Sequence, residues 1–355
     1  MKIAVIGAGN GGQALAGYMA ALGHEVRIAE LNPRTIADLQ KTKRIQLTGC
    51  LQCSGSLALI TNDSTLAASG ADLIMVATTA TAHSVLARQL APVIADGQII
   101  ILNPGRTGGA LEFHNTLTQC GVTKRYYLAE AQTLVYACRL IESGHVNIIG
   151  IKDKVLLCAL PASDTAYVIE KIHSLFPCFT ECKNVLVTSL ENYGAVFHPS
   201  VVLFNAAAIE RGNSFYFYRE MTPQIADFIE QLDAERVAVG AAYGLQLTSA
   251  KDWVSEAYNG IAGDSLCERM QNNPAYHDIL APSQINCRQL TEDIPTGAVP
   301  LVALGNAAGL QMPIYSGIIQ VVSALLKTDF QKLGRNLANL GLEGLSTEQI
   351  IKRLS

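Results

Sequence analysis

A strand that ends in GxGxxG and runs straight into a helix has few ways to fold. The chain opens MKIAVIGAGNGGQALAGYMAALG. The β-branched run KIAVI stops at Gly7, and Ala14, Leu15, Tyr18, Met19 and Leu22 then recur at helical spacing. Gly7, Gly9 and Gly12 occupy the three glycine places, with Asn10 and Gly11 between them. Gly7 permits a tight turn, Gly9 lets backbone approach a pyrophosphate, and Gly12 allows the helix to pack close to the strand. The helix N-terminus adds free N–H groups and a partial positive charge. Strand, turn and helix in this order point to a dinucleotide. Glu30 ends the second strand-like run, HEVRIAE, 21 residues beyond Gly9. A carboxylate there accepts hydrogen bonds from ribose hydroxyls and repels a 2′-phosphate, so NAD (NADH) is expected over NADP, with Arg34 nearby as the one cation that speaks for the latter.

The same alternation continues. LNPRTIADLQ sets Pro33 near a helix start, and ADLIMVAT (71–78) and GQIIILNPG (97–105) are continuous apolar runs of the kind found in parallel strands buried on both faces. Asn103, Pro104 and Gly105 close the last of these at the sheet's carboxyl edge, where open α/β folds bind ligands, and are candidates to line a nicotinamide pocket; an ordinary turn is the alternative. HVNIIGIKDKVLLCALP reads as two short strands about Lys152 and Asp153, followed by a helix over 164–175, and NVLVTSL (184–190) reads as the last strand. From Glu191 onward strand signals fade, and long helical patterns such as QIADFIEQLDAERVAVGAAYGL and PIYSGIIQVVSALLKTDF take over. The expected fold is α/β: an N-terminal Rossmann domain with a doubly wound sheet (1–187), followed by an all-helical C-terminal substrate and catalytic domain (188–355). Ser346 and Gln349 are spaced as a capping box before IIKRL.

Composition narrows the class. Charged residues make up 16%, apolar residues 49%, and the net charge is −4, with no basic stripe, so neither a nucleic-acid partner nor a disordered tail is expected. No apolar run approaches the ~20 residues that span a bilayer, and no leader precedes the first strand; a cytoplasmic location and no membrane partner are the expectation. Nine cysteines, an odd number, read as reduced thiols. Cys50 and Cys53 form a lone CxxC without the further ligands zinc requires, and Cys178 and Cys182 fare no better, so no metal is expected.

In the second half, ENYGAVFHPSVVLFN (191–205) sets His198 inside an apolar run with Pro199 directly behind it. Proline removes a helical N–H and crowds the carbonyl of Ala195, so a kink or a new helical segment is expected here. A buried, satisfied histidine and a catalytic one are both compatible with this pattern. Asn205 lies seven residues on, two helical turns away. INCRQLTEDIPTGAVP (285–300) carries Arg288, Glu292 and Asp293, followed by Pro295, Gly297 and Pro300, which signal a loop. Arg288 alone reads as a surface ion pair with Glu292. Trp253, Tyr258 and Tyr276 are either pocket walls or core.

Taken together, GAGNGGQALA, IIILNPGRTGGALEF, the ACR at 137–139, NYGAVFHP, DAERVAVG, QNNPAY and RQLTEDIPTGAVP resemble the opine dehydrogenases, the family of octopine and nopaline dehydrogenases, and its bacterial members in particular. The resemblance covers nearly the whole chain. It implies reductive condensation of a 2-oxo acid with the amino group of an amino acid, with those two small molecules as partners. It carries the family's histidine–aspartate pair to His198 and Asp293, and its keto-acid-binding arginine to Arg288. An imidazole titrates near neutrality and can take and return a proton, a carboxylate at its other nitrogen fixes the tautomer, and a guanidinium fork clamps a carboxylate. EAQTLVYACR (130–139) and RGNSFYFYRE (211–220) fit the family only loosely, which leaves the amino acid open. A simple carbonyl reductase of the ketopantoate reductase or glycerol-3-phosphate dehydrogenase type is the alternative. Those enzymes generally use a catalytic lysine, and none lies between Lys183 and Lys251. The apolar helix Ile314 to Leu326 could bury itself in its own domain or pair two copies as a homodimer.

Overall fold

The computed structural model describes residues 1–258 and 261–354 and divides the chain into two compact units, Met1–Ser189 with the residues from Arg353 on, and Leu190–Lys352. Twelve strands lie among the described residues, all in the first unit: β1 (Lys2–Ile6), β2 (Glu25–Ala29), β3 (Arg44–Gly49), β4 (Cys53–Ser56), β5 (Leu59–Thr61), β6 (Leu73–Val76), β7 (Ile99–Leu102), β8 (Tyr127–Ala131), β9 (Tyr136–Glu142), β10 (His145–Ile151), β11 (Val155–Leu160) and β12 (Phe179–Glu181). Eight form one sheet in the order β12-β11-β8-β7-β6-β1-β2-β5, parallel except where β11 runs against β8. Strand order reverses between β1 and β6, which opens a crevice at their carboxyl ends. The doubly wound α/β sheet expected from the first hundred residues is therefore present.

A second, four-stranded sheet, β4-β3-β10-β9, was not anticipated. It explains the composition of the Asn10–Ala21 helix, whose Gly12 to Gly17 are all buried. A helix buried on both sides has two faces to cover. One packs with Ile3 and Val5 of β1, the other with Ile45 and Leu47 of β3, and all share one core with Val146 and Ile148 of β10. A Cβ on Gly17 would sit 2.7 Å from a methyl of Ile45, so this approach requires glycine.

NVLVTSL is not the last strand: Val185–Leu190 is a helix that follows β12. The side chain of Asn184 accepts the N–H of Leu186 at the helix start, and the hydroxyls of Thr188 and Ser189 donate to the buried carboxylate of Glu130. These tertiary partners override the β-branched composition.

Among its described residues the second unit is helical, apart from one isolated bridge, Tyr216 to Leu280. Pro199 does not start a new segment, because a single helix, Tyr193–Phe204, runs through it. The loop expected over 294–300 is also helical. Arg288–Thr291 is followed by a π-turn, Ile294–Ala298, and then by the Val299–Ala307 helix. Each proline falls in the first turn of its element, where the missing N–H is not required. Gly297 serves close packing, since a Cβ there would run into that of Ala195 on the His198 helix. The capping box at Ser346 and Gln349 forms, with bonds of 2.8 and 3.3 Å. No helix among the described residues is long and apolar enough to cross a membrane.

Candidate functional site

The glycine turn carries three separate requirements. Gly7 has φ +102°, and a Cβ on it would lie 2.8 Å from the carbonyl oxygen of Ala77; one on Gly12 would collide with the carbonyl oxygen of Gly7. Gly9 is extended and a Cβ on it would meet nothing within 4 Å. Packing within the protein does not require that glycine, and the open backbone there fits a diphosphate. Gly11 is covered by Leu134, whose Cδ2 would be 2.7 Å from an added Cβ. The Asn10 side chain accepts the N–H of Leu140 in β9 at 3.2 Å, so it anchors the second sheet to the turn. Glu30, at the end of β2, accepts the N–H of Ala8 at 2.8 Å and that of Asn32 at 3.0 Å, which sets its carboxylate beside the glycine turn. Arg34 is exposed in the first turn of the next helix. These residues fit a dinucleotide.

Sequence reasoning missed Gln13. It is fully buried, donates to the Ala8 carbonyl at 2.8 Å and accepts the Gly144 N–H at 2.8 Å, bracing the turn from behind. A polar residue on the buried face of an otherwise apolar helix was the available signal.

At the end of β7 the buried Asn103 donates its backbone N–H to Val76 and its side-chain amide to Ile101, and the Asn103–Pro104 peptide is cis. Gly105 donates to the Ala131 carbonyl at 3.2 Å, and a Cβ on it would strike the carboxylate of Glu130.

In the helical unit His198 and Asp293 meet, although 95 residues separate them. His198 Nδ1 lies 2.7 Å from Asp293 Oδ2, with the histidine side chain 22% exposed and the aspartate 2%. Their elements explain the meeting. His198 sits midway along Tyr193–Phe204, Asp293 immediately precedes the π-turn, and Gly297 on that turn lets the two backbones approach. The start of the histidine helix is anchored by another feature that sequence reasoning missed. The buried Arg236 donates to Asp233 at 2.7 Å, to the Leu190 carbonyl at 3.1 Å and to the Thr248 carbonyl at 2.6 Å, and lies over the Tyr193 ring. DAER, with charges three apart on a helix, was its trace in the sequence.

Arg288 lies one turn ahead of Asp293. Its side chain is 64% exposed, and its Nε is 3.3 Å from Glu292 Oε2, so the ion pair considered from sequence is present. Asn205 ends the histidine helix and donates to the Val201 carbonyl at 2.9 Å. Aromatic rings surround the histidine. Phe217 and Tyr218 have centroids 6.0 and 6.5 Å from the imidazole, Tyr218 meets Tyr276 at 4.6 Å, and Tyr276 meets Tyr258 at 5.1 Å. Trp253 stacks on Tyr193 at 4.2 Å, and burial pushes the Tyr193 phenol well above its ordinary pKa.

Residues 181–326 match the model of the NAD/NADP octopine/nopaline dehydrogenase α-helical domain, and residues 2–102 match that of the coenzyme F420-dependent NADP oxidoreductases. The chain is 39% identical to an opine dehydrogenase of Arthrobacter sp. (strain 1C), over 98% of this chain and 97% of that protein. It is 26% identical to a vitopine synthase of Allorhizobium ampelinum, over 100% of this chain and 99% of that one. An octopine dehydrogenase solved in complex with NADH and agmatine has the same fold, with a TM-score of 0.83 at 22% identity over 98% of this chain and 97% of that one. The identity to the Arthrobacter enzyme along almost the full length of both chains assigns this protein to the opine dehydrogenases, NAD-dependent oxidoreductases acting on CH–NH bonds, which reductively condense a 2-oxo acid with the amino group of an amino acid.

Proposed function

We propose that His198, Asp293 and Arg288 carry the condensation, with NADH held by Gly7, Gly9, Asn10, Gly11, Gly12 and Glu30 and its nicotinamide end bordered by Asn103, Pro104 and Gly105. The observation that carries this reading is the 2.7 Å bond between His198 and Asp293. With Nδ1 engaged by the carboxylate, Nε2 is the nitrogen left to exchange protons with substrate. Asp293 fixes the tautomer and stabilises the imidazolium once it forms. His198 takes a proton from the substrate ammonium group and returns one as the carbonyl oxygen departs as water. Arg288 grips the carboxylate of the 2-oxo acid through its planar fork, with Glu292 holding the guanidinium in place. Bound NADH supplies the hydride. Glu30 favours NAD over NADP by charge.

Residues 1–187 serve as the dinucleotide-binding domain and 188–355 as the substrate and catalytic domain. Free thiols throughout suit a reducing, cytoplasmic setting, and exposed Val321 and Leu325 on the Pro313–Leu326 helix suit pairing of two copies.

The test compares NADH consumption with a 2-oxo acid alone and with the same acid plus a mixture of amino acids. Consumption that needs the amine is expected; equal rates without it refute the reading.

A further inference from the structure

Among the charged side chains of the first unit, Glu130 is fully buried, in the middle of the apolar strand YLAEA. An ionised carboxylate away from water is costly unless it is fully bonded. Oε1 accepts the hydroxyls of Thr188 at 2.6 Å and Ser189 at 2.7 Å, and Oε2 accepts the N–H of Ala110 at 2.7 Å. Three groups converge on it: the Ala110 N–H, which can only donate, and two hydroxyls, which donate here.

Both ends of this arrangement lead to places that matter for the reaction. The Oε2 side lies against Gly105 and Gly109, which leave room for it by having no Cβ. On the Oε1 side, Ser189 itself grips the loop that follows β7: its hydroxyl accepts the Gly108 N–H at 3.0 Å and its carbonyl accepts the Thr107 hydroxyl at 3.0 Å. Nine residues further along the chain is His198.

We propose that Glu130 is a positioning residue for hydride transfer, clasping the Gly105–Ala110 loop to Thr188 and Ser189 so that the loop presents a fixed surface to the nicotinamide. This rests on the reading of Asn103–Gly105 as the nicotinamide border. The carboxylate touches neither substrate nor coenzyme; it acts through the loop. The buried glutamate holds in register a segment that would otherwise be a run of glycines and turn residues.

The test is Glu130→Met, which keeps the length of the side chain and removes both acceptor oxygens. Amide hydrogen exchange over residues 107–112, measured on the protein without coenzyme, should speed up about tenfold as the Ala110 N–H loses its acceptor. NADH affinity should stay close to wild type, while kcat falls about tenfold and the primary isotope effect with 4-deuterated NADH rises, because a misplaced nicotinamide makes hydride transfer slower. Unchanged exchange refutes the clasp, and faster exchange with an unchanged isotope effect refutes the positioning role. Should Glu130→Met fail to fold, Ser189→Ala removes one donor to Glu130 and the acceptor for Gly108; wild-type exchange in that variant overturns the proposal. Absence of amine-dependent turnover in the wild type would instead refute the functional reading, leaving the exchange measurement to decide the clasp.

Discussion

Gly297→Ala tests how packing sets the catalytic geometry. The added methyl would lie well inside van der Waals contact with the Cβ of Ala195 and 3.3 Å from the side-chain nitrogen of Asn192. Both neighbours are short side chains on or next to the Tyr193–Phe204 helix, so relief must come from the backbones. A separation of about 1 Å restores ordinary contact, and a misplacement of that size costs about 10²-fold in rate. Asp293 stands one residue ahead of the π-turn that carries Gly297, so the same shift stretches its 2.7 Å bond to His198 beyond hydrogen-bonding range. Stability should also fall by about 1–3 kcal/mol, the usual cost of overpacking. The assay is amine-dependent NADH oxidation alongside a thermal melt. Gly317→Ala is the control, because that glycine lies within the Pro313–Leu326 helix and an added Cβ meets nothing within 4 Å. It should leave turnover unchanged and raise stability by about 0.4–1 kcal/mol. Wild-type turnover in Gly297→Ala would refute the idea that this approach of two helices sets the His198–Asp293 distance.

Further outcomes can be checked in the same assays. His198→Ala should lower kcat by about 10²- to 10⁴-fold with NADH affinity little changed, and Asp293→Asn, which keeps the shape but loses the charge on the 2.7 Å bond, should lower it by about ten- to a hundredfold; turnover within twofold of wild type in either would contradict the assignment. Arg288→Lys should raise the KM of the 2-oxo acid far more than that of the amine, and equal effects would point to a structural part. Burial, reinforced by the positive charge of Arg353, holds the pKa of His114 below that of an ordinary histidine. Its folded value lies below the unfolded one, so the unfolded chain binds more protons in the window just under the usual histidine pKa, and stability is lost as pH falls through that window. His114→Gln should flatten the dependence of the urea midpoint on pH between roughly 5 and 7; an unchanged slope would rule the residue out as its source.

The glycine turn was legible because its constraints are local. A positive φ at Gly7 and the close approach of Gly12 to Gly7 are demands that only glycine meets, and they act within a dozen residues, so they leave a pattern in the order of the chain. Apolar periodicity likewise revealed the strands β1, β2, β6 and β7 and the long helices of the second unit, because burial on one or both faces dictates residue type at fixed spacing. His198, Arg288 and Asp293 stood out as candidates within their own segments, but their pairing and roles came from resemblance alone, since nothing in spacing relates residues 95 positions apart.

Tertiary structure decided the rest. Val185–Leu190 has the composition of a strand but winds as a helix because Asn184 caps it and Glu130 receives its hydroxyls. Two prolines and a glycine between 295 and 300 spell a loop, yet a π-turn takes in Pro295 and Gly297 where a neighbouring helix needs room, and the helix after it takes in Pro300. Whether a buried acid such as Glu130 is tolerable depends on donors brought from Ala110, Thr188 and Ser189. Local sequence specifies which backbone conformations are affordable, while a buried charge or a close helix contact is settled only by the partners that folding delivers.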